Sequence, residues 1–224
     1  MLKVSIVLRH ILMITPADTT RFKIMKGAEQ LFSRYGIRSI TMDEVARHLS
    51  MSKKTIYEIF PNKDELVFQV AQHHLEEDCL KWQAAHREAT SALHEMMLMT
   101  KSLHHEVKDF NPTLVFDLKR FHPRAWALFE GQRESLFEES IKANLERGQK
   151  EGHYRNDLNP SIIARMRFEI EIMGFNPDIF PHDRYPFAEV QMQLLEHFIR
   201  GLLTDTGHHA WDELKAARPE LALK

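Results

Sequence analysis

The sequence predicts an all-α protein with a small three-helix head at the N-terminus and a larger helical bundle behind it. Three observations carry this. Only 8 glycines occur in 224 residues, no stretch sustains the apolar–polar alternation of a half-buried strand, and long stretches place apolar residues three and four apart, on one face of a helix. Capping residues and Gly or Pro stops divide those stretches into elements.

Asp18 or Thr19 opens a helix to about Tyr35, whose buried stripe is Phe22, Ile24, Met25, Ala28, Leu31 and Phe32. Gly36 ends it, since glycine takes the left-handed conformation just past a helix at little cost. Thr41 followed by Glu44 is a capping box, and it starts a short helix with Met42, Val45, Ala46 and Leu49 facing inward. Ser50 to Ser52 interrupt the pattern. Ser52 caps a second short helix, Lys53 to Phe60, with Ile56, Ile59 and Phe60 inward, and Pro61 stops it. Asn62 with Glu65 is another capping box. Two short helices joined in this way form a helix-turn-helix, whose second helix enters the DNA major groove by its N-terminal end. Here that end carries Lys53, Lys54 and Thr55.

The helix opened at Asn62 runs to about His86 with Leu66, Val67, Val70, Ala71, His74 and Leu75 on one face, and so bridges head and body. Ser91 to about Phe110 follows, with Met96, Met97 and Met99 beside His94, His104 and His105. Methionines adapt to irregular apolar shapes, which suits either a packed core or a ligand cavity. Those histidines do not share a helical face, so no metal site is expected. Asn111-Pro112 starts a short helix to Phe121, and His122-Pro123 breaks the chain again. The longest helix is expected from Pro123 to about Glu151, with Trp126, Phe129, Leu136, Phe137, Ile141 and Leu145 as its stripe. Asn159 to Ser161 start another, with Ile162, Ile163, Met166, Ile170 and Met173, closed by Gly174. After the proline-rich loop FNPDIFPHDRYP, a last strong helix from Pro186 to Leu203 carries Phe187, Val190, Met192, Leu194, Leu195, Phe198 and Leu202. The expected division is 1–16 as an extension, 17–65 as head, 66–204 as body and 205–224 as a polar, mobile tail in which Ala210 to Ala217 can form a short helix.

Composition narrows the function. Residues 17–65 hold nine basic and seven acidic side chains, whereas 19 basic face 25 acidic ones after them. Phosphate contacts are electrostatic and local, so this asymmetry suits a small DNA-facing head on a body that leaves DNA alone. Cys79 is the single cysteine, which rules out an intramolecular disulfide and a cysteine-built zinc site within one chain; a reducing cytoplasm is expected. In residues 1–15, Arg9 and His10 split the apolar run below the length that crosses a bilayer, so no membrane attachment is expected, and Met13 is an alternative start. Nucleophile elbow, phosphate-binding glycine loop and metalloprotease helix motif are all missing, so neither an enzyme nor a cofactor is expected.

The segment from about Arg21 to Leu66 resembles the DNA-binding domain of the TetR family of transcriptional regulators. The resemblance rests on Ala28, Leu31, Phe32, Gly36, Thr41, Ile56, Tyr57, Phe60, Lys63 and Leu66 and on the phrase SKKTIYEIF. The run ERGQKEGHYRNDLNP also resembles the corresponding helix end and turn of the regulatory domain. The resemblance implies phosphate contacts from Thr41, Thr55, Tyr57 and Lys63, base-edge or backbone contacts from Lys53 and Lys54, and Ser52 in the same interface. Ile59 departs from the pattern, which puts that contact in doubt.

It further implies a homodimer on a pseudo-palindromic double-stranded operator, paired through the last two body helices at Ile162, Ile170, Val190, Leu194, Leu195, Phe198 and Leu202. The bridging helix transmits movement between domains. A small apolar effector is expected in the body, with Met96, Met97, Leu103 and Phe116 and, on later helices, Trp126, Phe129, Met166 and Ile170 as candidate lining. Its binding would relieve repression. The rival reading keeps the head and uses the body only to dimerise or to dock a protein partner.

Overall fold

The computed structural model describes residues 16–108, 110–132 and 137–218. The head is α1 (Pro16–Tyr35), α2 (Met42–His48) and α3 (Lys53–Ile59), and the bridge is α4 (Lys63–Glu88). Behind it come α5 (Ala92–Val107), α6 (Thr113–Phe121), α7 (Pro123–Gln132), α8 (Glu138–Lys150), α9 (Pro160–Met173), α10 (Phe187–Leu202) and α11 (Asp205–Ala216). The apolar extension lies outside the described residues except for Pro16, and so does Leu136.

The helices begin where their caps place them. The side chains of Thr41, Ser52, Asn62 and Ser91 each accept the backbone N–H three residues on, and Asn159 caps α9. Each such cap satisfies an orphan donor and is worth about 1 kcal/mol. Gly36 sits at φ +79°, in the left-handed region where a side chain is strained.

Two apolar cores result. The head core joins Ile24, Ala28, Phe32, Val45, Ile56 and Phe60 to Leu66, Val67, Val70 and Ala71 of α4, and it also takes in Leu118 and Ala125 of the body. It therefore crosses the boundary expected near residue 65. Polar clamps fix the same junction: Asn111 N–H donates to the Ser33 carbonyl at 2.8 Å, and buried Asp117 accepts from the Arg38 amide at 3.0 Å. The body core gathers Leu93, Met96 and Met97 of α5, Ile141 and Leu145 of α8, and Leu195, Phe198, Ile199 and Leu202 of α10 around Tyr154 and Trp211.

Two expectations are revised. Within the expected mobile tail, Asp205–Ala216 is instead the docked helix α11. Trp211 is fully buried in the body core, Arg200 pairs with Asp212, and Lys215 reaches Glu196 at 3.0 Å. A single large aromatic in a polar segment leaves too weak a periodicity to show an apolar stripe. The stretch expected as the longest helix is described as α7 and α8, flanking residues 133–136, and the longest described helix is α4 with 26 residues.

Gly148 is set by a close approach. A Cβ there would stand 2.1 Å from the ring of Tyr154, so the glycine lets the ring lie on the helix backbone. The Tyr154 hydroxyl then donates to Asn144 at 3.1 Å, and Asn144 in turn donates to the Ala92 carbonyl and to Glu95. Burial first, then the charges of Glu95 and Glu151, push the phenol well above its ordinary value. It stays a neutral donor at physiological pH.

Candidate nucleic-acid interface and effector cavity

The turn between α2 and α3 is tight because Ser50 takes φ +53° while its amide and that of Met51 return to the Arg47 and Ala46 carbonyls at 3.1 and 2.9 Å. A non-glycine residue there costs about 1 kcal/mol. The turn aims the N-terminal end of α3 outward. Lys53 and Lys54 are solvent-exposed, with side chains 65% and 86% accessible, and Tyr57 is 47% exposed one turn later. Lys53 pairs with Asp43, and Lys54 lies 3.8 Å from Glu58. Exposed pairs of this kind are worth at most about 1 kcal/mol, so they leave both ammonium groups available to a ligand.

Some hydroxyls of the interface are engaged within the caps. Thr41 donates to Glu44 at 2.8 Å and accepts from its amide at 3.2 Å, and Ser52 shares a hydrogen bond with Thr55 at 2.9 Å. The Thr41 amide and hydroxyl together hold the Glu44 carboxyl below its usual range. Lys63 departs further from expectation. Its ammonium donates to the Ile37 carbonyl at 2.6 Å, and burial, against the pull of Asp117 and Glu44, depresses its pKa. This lysine ties the loop before Thr41 to the start of α4, a structural role that phosphate contact would have to compete with.

Between α4, α5, α8, α9 and α10 lies a cavity of about 350 Å³, continuous in lining with a second lobe of about 180 Å³. Met96, Leu103 and Ile141 supply apolar wall, while Trp82 and Phe137 meet with ring centroids 4.7 Å apart. Phe129 lines the smaller lobe.

Residues 24–70 match the family model for bacterial regulatory proteins of the tetR family. Those residues carry the DNA-binding domain of that family. It is 25% identical over 197 residues to the HTH-type transcriptional regulator UidR of Escherichia coli K12, covering 86% of this chain and 97% of that protein. A TetR-family regulator from Agrobacterium tumefaciens superposes with a TM-score of 0.71 at 12% identity, covering 84% of this chain and 100% of that one. A SmeT–triclosan complex superposes with a TM-score of 0.63 at 15% identity, over 84% of this chain and 93% of that one. With its helix-turn-helix head and all-α body the chain is thus similar to DNA-binding transcriptional regulators. Among the described residues, no helix is long and apolar enough to cross a membrane.

In the body the expected effector residues divide. Met96, Leu103 and Phe129 line the cavity. Met97 is buried in the body core, and Ile170 packs against it from the edge. Trp126 belongs to the head side, packed against the head core and stacked on Phe129. Phe116 and Met166 are corrected outright: they are 40% and 42% exposed and line neither lobe. Val115 and Leu118 take the inner face of α6, which leaves Phe116 under the Arg120 guanidinium, and Ala164, Arg167 and Phe168 do the same on α9.

The residues expected to pair protomers also divide. Leu195, Phe198 and Leu202 are buried in the core of a single chain, and Val190 is 8% exposed. Leu194 and Ile170 are half-buried, and Ile162 is 65% exposed. The stripe of α10 is thus used within the chain. Sequence reasoning missed Trp82, Asp78, Arg167 and Glu171 in the cavity, because a ligand wall interrupts an otherwise polar helix face without giving it a period.

Proposed function

We propose that the protein is a homodimeric repressor, released from a pseudo-palindromic operator when a small, largely apolar molecule enters the body cavity. The observation that carries the reading is the position of Trp82 and Ala85: they line the cavity on α4, the same helix whose Leu66, Val67 and Val70 pack in the head core. A ligand that shifts α4 moves the head as part of the same apolar packing. The two heads of a dimer then lose the spacing that two half-sites demand. The bound triclosan of the SmeT complex supports a small-molecule role for such a body.

Ile162 and Met166 leave exposed apolar surface on α9, and Ile179 and Tyr185 are exposed in the following loop. That surface, rather than the inner stripe of α10, is where a second copy would pair. Lys53, Lys54, Thr55 and Tyr57 carry the DNA contact in this reading, with Thr41 and Ser52 positioning it.

A panel of small apolar compounds screened by thermal shift, followed by anisotropy of labelled upstream DNA, tests the mechanism. A true effector raises the melting temperature and weakens DNA binding by about 5- to 150-fold. Compounds that stabilise the protein and leave DNA affinity unchanged would show that the cavity is not coupled to the heads.

A further inference from the structure

The cavity has a charge preference as well as a shape. Its two lobes share Asp78, Trp82, Phe137 and Glu171, which form the neck between them. Around this neck the described acids Asp78, Glu106 and Glu171 face the cations Lys81 and Arg167. Lys81 is divided between Asp78 at 3.0 Å and Glu106 at 2.9 Å, and Arg167 lies 3.2 Å from Glu171. Glu88 lines the same lobe. Among the residues lining that lobe the acids therefore outnumber the cations, while behind the lining His74 also lies 3.3 Å from Asp78.

Glu171 is served by a single cation among the described residues. Its side chain forms an ion pair with Arg167 at 3.2 Å. Burial, then the charges of Asp78 and Glu106, outweigh Arg167 and hold its carboxyl above the usual range. An anionic ligand would have to take Lys81 or Arg167 from the carboxylates they already serve, leaving buried charge uncompensated. A cation faces the opposite situation, since the neck offers it surplus negative charge and aromatic faces.

Resting on the reading of this cavity as the effector site, we propose that it selects a cation: a small molecule with an apolar or aromatic body and an ammonium head placed between Glu171 and the Trp82–Phe137 pair. A neutral compound of the same shape fills the lobes and gains nothing from their negative charge.

The test uses two isosteres, benzyltrimethylammonium and neopentylbenzene, titrated separately into the full-length protein and followed by calorimetry and by intrinsic tryptophan fluorescence. The cation is expected to bind about tenfold or more tightly than the neutral compound. Glu171→Gln and, separately, Asp78→Asn should each cut that preference, with circular dichroism and melting unchanged for at least one of the two. Equal or tighter binding of the neutral isostere, or a preference that survives both variants, overturns the cation assignment and leaves the effector reading standing. No saturable binding of either probe overturns it too, and the effector reading is then decided by the compound panel and DNA release.

Discussion

His74 of α4 hydrogen-bonds Glu29 of α1 through Nδ1 at 3.0 Å, while its Nε2 lies 3.3 Å from Asp78. One imidazole thus links the first head helix to a carboxylate that lines the body cavity. Burial opposes the charged ring, but the Glu29 hydrogen bond and the charges of Asp78 and Glu29 prevail, and its pKa is raised above 6.5. For Glu29, burial is outweighed by hydrogen bonds from His74 and Lys26, and its pKa falls from 4.5 to about 2.

The pH dependence follows from these directions. A raised histidine pKa contributes stability that is complete below its ordinary value of 6.5 and is lost as pH rises through the folded value. A depressed carboxylate pKa contributes stability that is complete above 4.5 and is lost as pH falls toward 2. Their joint contribution is therefore greatest between about pH 4.5 and 6.5. The melting temperature should decline above that window, and His74→Gln should flatten the alkaline limb. An unchanged alkaline limb in the variant would dismiss the histidine from this role.

Lys63 supports the fold before it serves DNA. Lys63→Met removes the charged donor to the Ile37 carbonyl and should lower unfolding free energy by about 1–3 kcal/mol. Chemical denaturation measures this. Full stability combined with lost DNA binding would return Lys63 to the phosphate-contacting set.

Gly148→Ala forces a methyl group into the Tyr154 ring, which would stand 2.1 Å away. The ring is fully buried and hydrogen-bonded to Asn144, so it has little room to yield. Overpacking of this kind costs about 1–3 kcal/mol or more. Trp211→Ala should cost about 3–5 kcal/mol, because Trp211 is fully buried. A Trp211 variant as stable as the parent would detach α11 from the body core.

Much of the head was legible in the sequence because its signals are local. Thr41 with Glu44, Ser52, and Asn62 with Glu65 announce helix starts within four residues, and each cap is formed. Apolar periodicity identified Ile56 and Phe60 as core, and both are fully buried. The body was less legible because an apolar stripe does not name its partner. Phe198 and Leu202 read equally well as an intersubunit or an internal face, and the chain buries them internally. The second engagement of Lys63 was illegible for a related reason: it donates to the carbonyl of Ile37, 26 residues away. The cavity's charged neck escaped because Asp78, Lys81 and Glu171 look like solvated helix charges until three helices bring Glu106 and Arg167 beside them.

The most direct measurement is equilibrium binding of the full-length protein to DNA from upstream of its own coding sequence and to unrelated DNA, over a range of salt. Upstream DNA should bind about a thousandfold or more tightly. Lys53→Ala with Lys54→Ala should remove most of that advantage and reduce the salt slope by about two where both lysines meet phosphate. Equal affinity for the two DNAs, or a double variant that binds like the parent, would contradict the assignment of α3 as the DNA-reading helix.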